Sequence, residues 1–138
     1  MASVAAWLAL RRGRRVLAID LDPQGQLGKV LGVDVRKNRR SAIDLLLDSV
    51  LEGPDAASTS PGVAPPGALP IVGTRIAGLD LVPADKSLGL LPVLDPAGGE
   101  PSGRLAGRLR TARELARYDY VLFDAPPSFG PLTLNVLR

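Results

Sequence analysis

Short apolar runs alternate with segments whose apolar positions recur every three or four residues, which predicts strands and helices in turn. Val4, Trp7, Leu8 and Arg11 fall at helical spacing within Ser3–Arg12, and the face of Trp7 and Leu8 reads as core. Gly13 follows in the position that favours a left-handed backbone and ends a helix. Arg15–Asp20 is a short apolar run, the signature of a strand buried on both faces of a parallel sheet. Asp22–Gly25 is a turn, because Pro23 pushes Asp22 toward an extended backbone and Gly25 permits positive φ. Ser41–Leu51 predicts a second helix, capped by Ser41 with Asp44 three positions on, with Ile43, Leu46, Leu47 and Val50 on one face.

Gly53–Pro70 shows no periodicity and holds five prolines and three glycines, so it reads as a long inserted loop. Leu69–Val72 and Leu79–Val82 predict strands, and Pro92–Gly103 is again loop. Ser102–Arg117 is the clearest helix, with Leu105, Leu109, Ala112 and Ala116 on one face. Asp119–Asp124 is a second buried apolar strand, stopped by Pro126 and Pro127, and a last helix starts near Pro131. Alternating helices and apolar strands predict an α/β fold with three layers and a mostly parallel sheet, spanning residues 1–138 as one partial domain.

Composition narrows the chemistry. The chain has 138 residues, of which 46% are hydrophobic but only 4% aromatic, so its core is Leu, Val, Ile and Ala. Without cysteine there is no thiol nucleophile, thiolate metal site or disulfide; without histidine there is no imidazole base or ligand. A bound metal would be hard and oxygen-ligated, such as magnesium. No apolar run reaches the roughly 18 residues of a membrane span. The apolar stretch Met1–Leu10 is followed rather than preceded by arginines, the reverse of a secretory signal, so the expected compartment is the cytoplasm. The net charge of +3 permits an anionic partner without requiring one. The arginine clusters at Arg11–Arg15, Arg36–Arg40 and Ser102–Arg117 read as solvated faces.

Two apolar strands end in aspartate: Asp20 and Asp22 follow the first, and Asp124 ends the second. Ligands of parallel α/β sheets bind outside the carboxyl ends of the strands. Carboxylates there, with no histidine or cysteine, suit magnesium and phosphate chemistry, one holding the ion and another orienting a water. Either aspartate alone also reads as a turn former or helix cap.

The stretch Arg14-Arg15-Val16-Leu17-Ala18-Ile19-Asp20-Leu21-Asp22-Pro23-Gln24-Gly25 resembles the switch I segment of the ParA/Soj partition ATPases, P-loop ATPases with a deviant Walker A motif. Tyr118–Ser128 (Tyr-Asp-Tyr-Val-Leu-Phe-Asp-Ala-Pro-Pro-Ser) resembles their Walker B strand, and Leu132–Leu137 the helix after it. Gly78–Ala84 resembles the intervening strand that ends in Pro-Ala. The order and approximate spacing of these segments agree with the family.

The resemblance implies that Asp22 helps position the lytic water, Asp124 holds magnesium through water, and Asp20 supports the switch and the metal shell. Gln24 and Gly25 would be switch residues that respond to the γ-phosphate of ATP. It also implies an ATP-dependent homodimer, nonspecific DNA binding, a ParB-type partner protein, nucleoid association within the cytoplasm and no membrane partner. Where the family usually carries Asn and a small or hydroxylated pair after Asp-Pro-Gln-Gly, this chain has Gln26, Leu27 and Gly28. The family's Lys-Gly-Gly-x-Gly-Lys-Thr-Thr loop would precede Ser3, yet no glycine precedes Gly13 and no lysine precedes Lys29. The chain therefore reads as the middle of such an ATPase, with the central phosphate-loop strand absent and Asp119–Asp124 left with an unpaired edge. The alternatives are a non-catalytic interaction module of the same fold and, in third place, a MinD-like membrane-cycling ATPase.

Overall fold

The computed structural model describes residues 1–37, 40–47, 68–90, 104–127 and 133. Four strands form one sheet: β1 (Val16–Asp20), β2 (Val72–Gly73), β3 (Leu79–Val82) and β4 (Tyr120–Asp124). Their spatial order is β2-β3-β1-β4. β1 pairs in parallel with β3 on one side, Val16 opposite Leu79, and with β4 on the other, Val16 opposite Tyr120. β2 joins β3 antiparallel, so the sheet is mixed but mostly parallel, as the alternation of elements predicts.

β1 is the axis of the fold, and all five of its residues are buried. Side chains alternate across the sheet. Val16 and Ala18 meet α1 (Ala2–Arg12) and α2 (Gln26–Val30) through Ala5, Ala9, Leu27 and Leu31. Leu17 and Ile19 face the other way, against Ile43, Leu45 and Leu46 of the α3 region (Asp44–Leu47) and Leu105 of α4 (Arg104–Thr111). Helices thus cover both faces, giving the expected three layers.

Gly13 ends α1 at φ 60°, and Arg14 N–H donates to the Leu8 carbonyl at 3.1 Å, as the sequence predicts. The buried face of α1 differs from the expected one. Ala5 and Ala9 are buried, Leu8 packs only in part, and Trp7 is 49% and Val4 56% exposed. Two alanines let the helix lie close against β1 and β3, which a tryptophan on that face would prevent. Trp7 instead carries the Arg12 guanidinium over its ring at 4.9 Å.

The Asp44 carboxylate accepts the Ser41 N–H at 2.7 Å, the reach-back half of the expected cap; the end of the predicted helix beyond Leu47 lies outside the described residues. The Leu69–Val72 strand is corrected to Val72–Gly73. Leu69 is buried in the core, its N–H donates to Glu114 at 3.1 Å, and Pro70 has no N–H for a ladder. Ser102–Arg117 is not one helix. α4 stops at Thr111, Ala112 is extended (φ −77°, ψ 101°), and Arg113–Arg117 forms a 3-10 turn. That break rotates the apolar face, so Leu115 packs on the core where Ala116 was expected, and Ala116 is exposed.

β4 starts one residue later than predicted. Asp119 is its anchor: its carboxylate accepts the Arg15 N–H at 2.7 Å and its N–H donates to the Arg15 carbonyl at 2.8 Å. The strand is half-buried rather than buried, with Tyr120 43% exposed. It stands last in the sheet order and, among the described residues, pairs on one edge only. The loops predicted at Gly53–Pro70 and Pro92–Gly103 fall almost wholly outside the described residues, and of the helix predicted from Pro131 only Thr133, which is helical, is described.

Candidate functional site

The two acidic strand ends meet. Asp20 and Asp124 are register partners at the carboxyl ends of β1 and β4, and the ladder runs one step further through Leu21 N–H to the Asp124 carbonyl at 2.9 Å. Asp20 is fully buried. One of its oxygens accepts the Asp22 N–H at 3.1 Å; the other, Oδ2, has no partner among the described residues. Burial pushes its pKa up to about 6. The Asp22 and Gly28 N–H groups act against that rise, and the neighbouring Asp124 and Asp22 carboxylates add to it.

Past Asp20 the chain turns sharply. The Asp22 carboxylate accepts the Gln24 N–H at 2.9 Å, and its carbonyl accepts the Gly25 N–H at 2.8 Å. Gly25 has φ 57°, and a Cβ placed there would sit 3.2 Å from the Ala84 carbonyl oxygen, so side chain and backbone conformation both select glycine. The turn is thereby held against the end of β3. Asp22 is half-buried and Gln24 exposed. The structure thus brings Asp20 and Asp124 side by side, keeps Asp22 two residues on in a turn closed by its own carboxylate, exposes Gln24 on that turn and buries Gly25 against the end of β3.

Residues that sequence reasoning did not single out complete the turn. Lys29 Nζ donates to the Gln24 carbonyl at 3.2 Å from the first helical turns of α2. The Ala84 carbonyl marks the close approach to Gly25, and the Pro83-Ala84 pair was the available signal. Gly28 lets α2 pack close, since a Cβ there would lie 3.1 Å from the Val35 side chain. Gln26, Leu27 and Gly28, which depart from the family pattern, are the start of α2, and Leu27 is core.

The donor set fits a hard cation in one specific way. A buried carboxylate oxygen without a partner, beside a second carboxylate, favours positive charge. Among the described residues no three acidic side chains converge to hold a metal unaided. Such an ion would take one or two carboxylates here and its remaining ligands from water or phosphate oxygens, which is magnesium's habit. No helix among the described residues is long and apolar enough to cross a membrane.

Known proteins are similar to this chain over most of its length. A family model described as an AAA domain matches residues 1–138. The chain is 38% identical to the chromosome-partitioning ATPase Soj of Thermus thermophilus over 138 residues, 98% of this chain and 43% of that protein. It is 35% identical to the chromosome partitioning protein ParA of Caulobacter vibrioides over 127 residues, 91% of this chain and 41% of that protein. Among solved structures it is similar to cobyrinic acid a,c-diamide synthase of Mycobacterium smegmatis with bound ATP analog and magnesium. That match has 34% identity and a TM-score of 0.73, covering 97% of this chain and 46% of that one. A plasmid partition protein from Borrelia burgdorferi shares the fold at 22% identity and a TM-score of 0.65. The chain spans less than half the length of the Soj, ParA and cobyrinic acid a,c-diamide synthase relatives, and 53% of the Borrelia protein. With the family model covering every residue, and with both acidic strands aligned in one parallel sheet, the chain belongs to the ParA/Soj family of P-loop ATPases.

Proposed function

We propose that these 138 residues are the switch I and Walker B portion of a partition ATPase that moves chromosomal or plasmid DNA. The register pairing of Asp20 with Asp124 carries this reading, because it sets two carboxylates at the strand ends where phosphate ligands of such sheets lie. The similarity to chromosome-partitioning proteins and to a structure holding an ATP analog and magnesium supports it. Cycles of ATP-dependent dimerisation, nonspecific DNA binding and release stimulated by a ParB-type partner are the proposed use of the intact protein.

Each residue has a distinct task in this reading. Asp124 would hold magnesium through water, and a bound ion there would supply charge neutralisation to the phosphates. Asp20 supplies its unpartnered buried oxygen to the same water shell. Asp22 orients the attacking water, and the turn closed by Gly25 sets the direction of its carboxylate. Gln24, exposed on that turn, follows the γ-phosphate.

The test is a chimera in which residues 1–138 replace the matching segment of the Thermus Soj protein. Asp22→Ala should abolish ATP hydrolysis and spare ATP binding; Asp124→Ala should weaken magnesium-dependent binding itself. Hydrolysis at the unmodified rate by the Asp22→Ala chimera refutes the assignment. Residues 1–138 contain no glycine-rich Gly-Lys-Thr loop, so the chain by itself should show no magnesium–ATP binding at micromolar concentrations by calorimetry.

A further inference from the structure

On the outer side of the Asp22–Gly25 turn lies an open groove of about 1060 Å³. One wall is the turn itself, with Pro23, Gln24 and Gly25. Val33, Val35 and Ala84 contribute apolar surface between the walls. Among the described residues three cations border it from three separate elements: Lys29 on α2, Arg75 in the connection between β2 and β3, and Lys86 at the start of a 3-10 turn, Lys86–Leu90. All three are exposed. Among the described residues two acids share the rim, leaving the cations in excess by one. Asp85 accepts the Ser87 N–H at 2.8 Å and also the Ser87 hydroxyl, and Asp34 has an interaction of its own.

We propose that this groove docks an acidic, carboxylate-bearing peptide segment of a partner protein. Cations on three elements suit carboxylates distributed along an extended chain, and the apolar surface between them suits one or two aliphatic anchors. Among the described residues no aromatic side chain lines the groove, so they offer no platform on which a nucleic-acid base would stack. At about 1060 Å³ and open to solvent, it exceeds the usual enclosure of a small metabolite.

The groove shares its wall with the candidate catalytic turn. Lys29 donates to the Gln24 carbonyl, one bond from the Gly25 N–H that closes the turn on Asp22. A peptide that engages Lys29 and packs on Pro23 therefore biases the position of Asp22. This regulatory role rests on the function proposed above; the docking itself does not.

The experiment uses the 138-residue chain without nucleotide. A fluorescein-labelled peptide of alternating glutamate and leucine is titrated by fluorescence anisotropy, beside a lysine–leucine peptide and a single-stranded oligonucleotide of equal charge. The glutamate peptide should bind, weaken as salt rises, and lose about tenfold in affinity in an Arg75→Glu/Lys86→Glu variant. That variant leaves Lys29 and the turn untouched, and unchanged amide protection across Leu17–Ile19 certifies its fold. Hydrogen exchange at the Gly25 amide should slow when the peptide binds. Absence of binding, or binding indifferent to the two substitutions, overturns the docking site. Preference for the oligonucleotide overturns the peptide in favour of nucleic acid. Self-association that the same substitutions abolish assigns the groove to a second copy of the chain. Peptide binding with unchanged Gly25 exchange overturns the regulatory link and leaves the site reading to the chimera test.

Discussion

Replacing Asp20 with asparagine should stabilise the chain at neutral pH, although it removes a group placed in the candidate site. Asp20 is wholly buried, and one of its oxygens has no partner among the described residues. Its pKa stands at about 6 against an ordinary 3.8. Such a rise means that the folded state holds a proton between about pH 4 and 6 that the unfolded chain has released. The unfolded state then binds fewer protons, so stability falls as pH rises through that window and is level above it. A shift of about two pH units corresponds to about 3 kcal/mol at most. Relaxation of the protein around a buried charge reduces this to about 1–2 kcal/mol. The asparagine amide keeps an acceptor for the Asp22 N–H but sets an unpaired N–H in place of the charged oxygen, at a cost of about 1 kcal/mol. The net expectation is a gain of about 1 kcal/mol at pH 7.5 that vanishes or reverses at pH 4.5. Urea denaturation of both proteins across that range, at matched low concentration, measures it. A stability difference that does not change with pH would refute the assignment of a buried, charge-strained Asp20.

Gly25→Ala should destabilise by about 2 kcal/mol and Gly13→Ala by about 1 kcal/mol, since both have positive φ but only Gly25 has a carbonyl 3.2 Å from the new Cβ. Equal urea midpoints for the two variants would remove the packing role given to Ala84. Tyr118→Phe should cost about 1–2 kcal/mol, because the hydroxyl donates to Asp80 at 2.6 Å and accepts from Arg117 at 2.7 Å. Burial, with the hydrogen bond to Asp80, pushes the Tyr118 pKa up to about 12, so wild-type stability should fall as pH rises from 10 toward 12. The phenylalanine variant should lack that loss, as read by denaturation at pH 9 and 11. Leu17→Ala should cost about 2–5 kcal/mol, the penalty of a fully buried leucine in the central strand, and denaturation monitored by circular dichroism measures it.

The centre of the fold was legible because β1 is apolar from Val16 to Ile19, and only a strand covered on both faces needs that. The turn was legible from Pro23 and Gly25, whose backbone limits are intrinsic. The faces of the helices were harder to read. In α1 the face of Trp7 and Leu8 was expected to be core, and the close approach of helix to sheet put Ala5 and Ala9 there instead. In Ser102–Arg117 the periodicity is continuous, yet the chain breaks at Ala112, which carries no breaker residue, and Leu115 finds the core instead of Ala116. Burial of β4 was overestimated because neighbours on a sheet are properties of topology and leave no mark in a five-residue run. Within the site, the aspartates announced themselves as strand ends, whereas Lys29 reaches back to a main-chain oxygen, a contact that composition and spacing do not encode.

The central position of β1 also sets a schedule for assembly. Its partners are the strands that begin at Leu79 and Tyr120, so none of its ladder is local in sequence. Parallel pairing over such separations carries a large closure entropy and forms slowly. During synthesis at about 5–20 residues per second, Val16–Ile19 waits roughly 5–20 s before Tyr120–Phe123 exists to receive it. For that interval at least one edge of this apolar strand is empty, and both are until Leu79–Val82 emerges, open to chaperones and to other nascent chains. The turn at Asp22–Gly25 can close early, since its hydrogen bonds span three residues. The pair of carboxylates at Asp20 and Asp124 forms only when the second acidic strand arrives, about a hundred residues after the first.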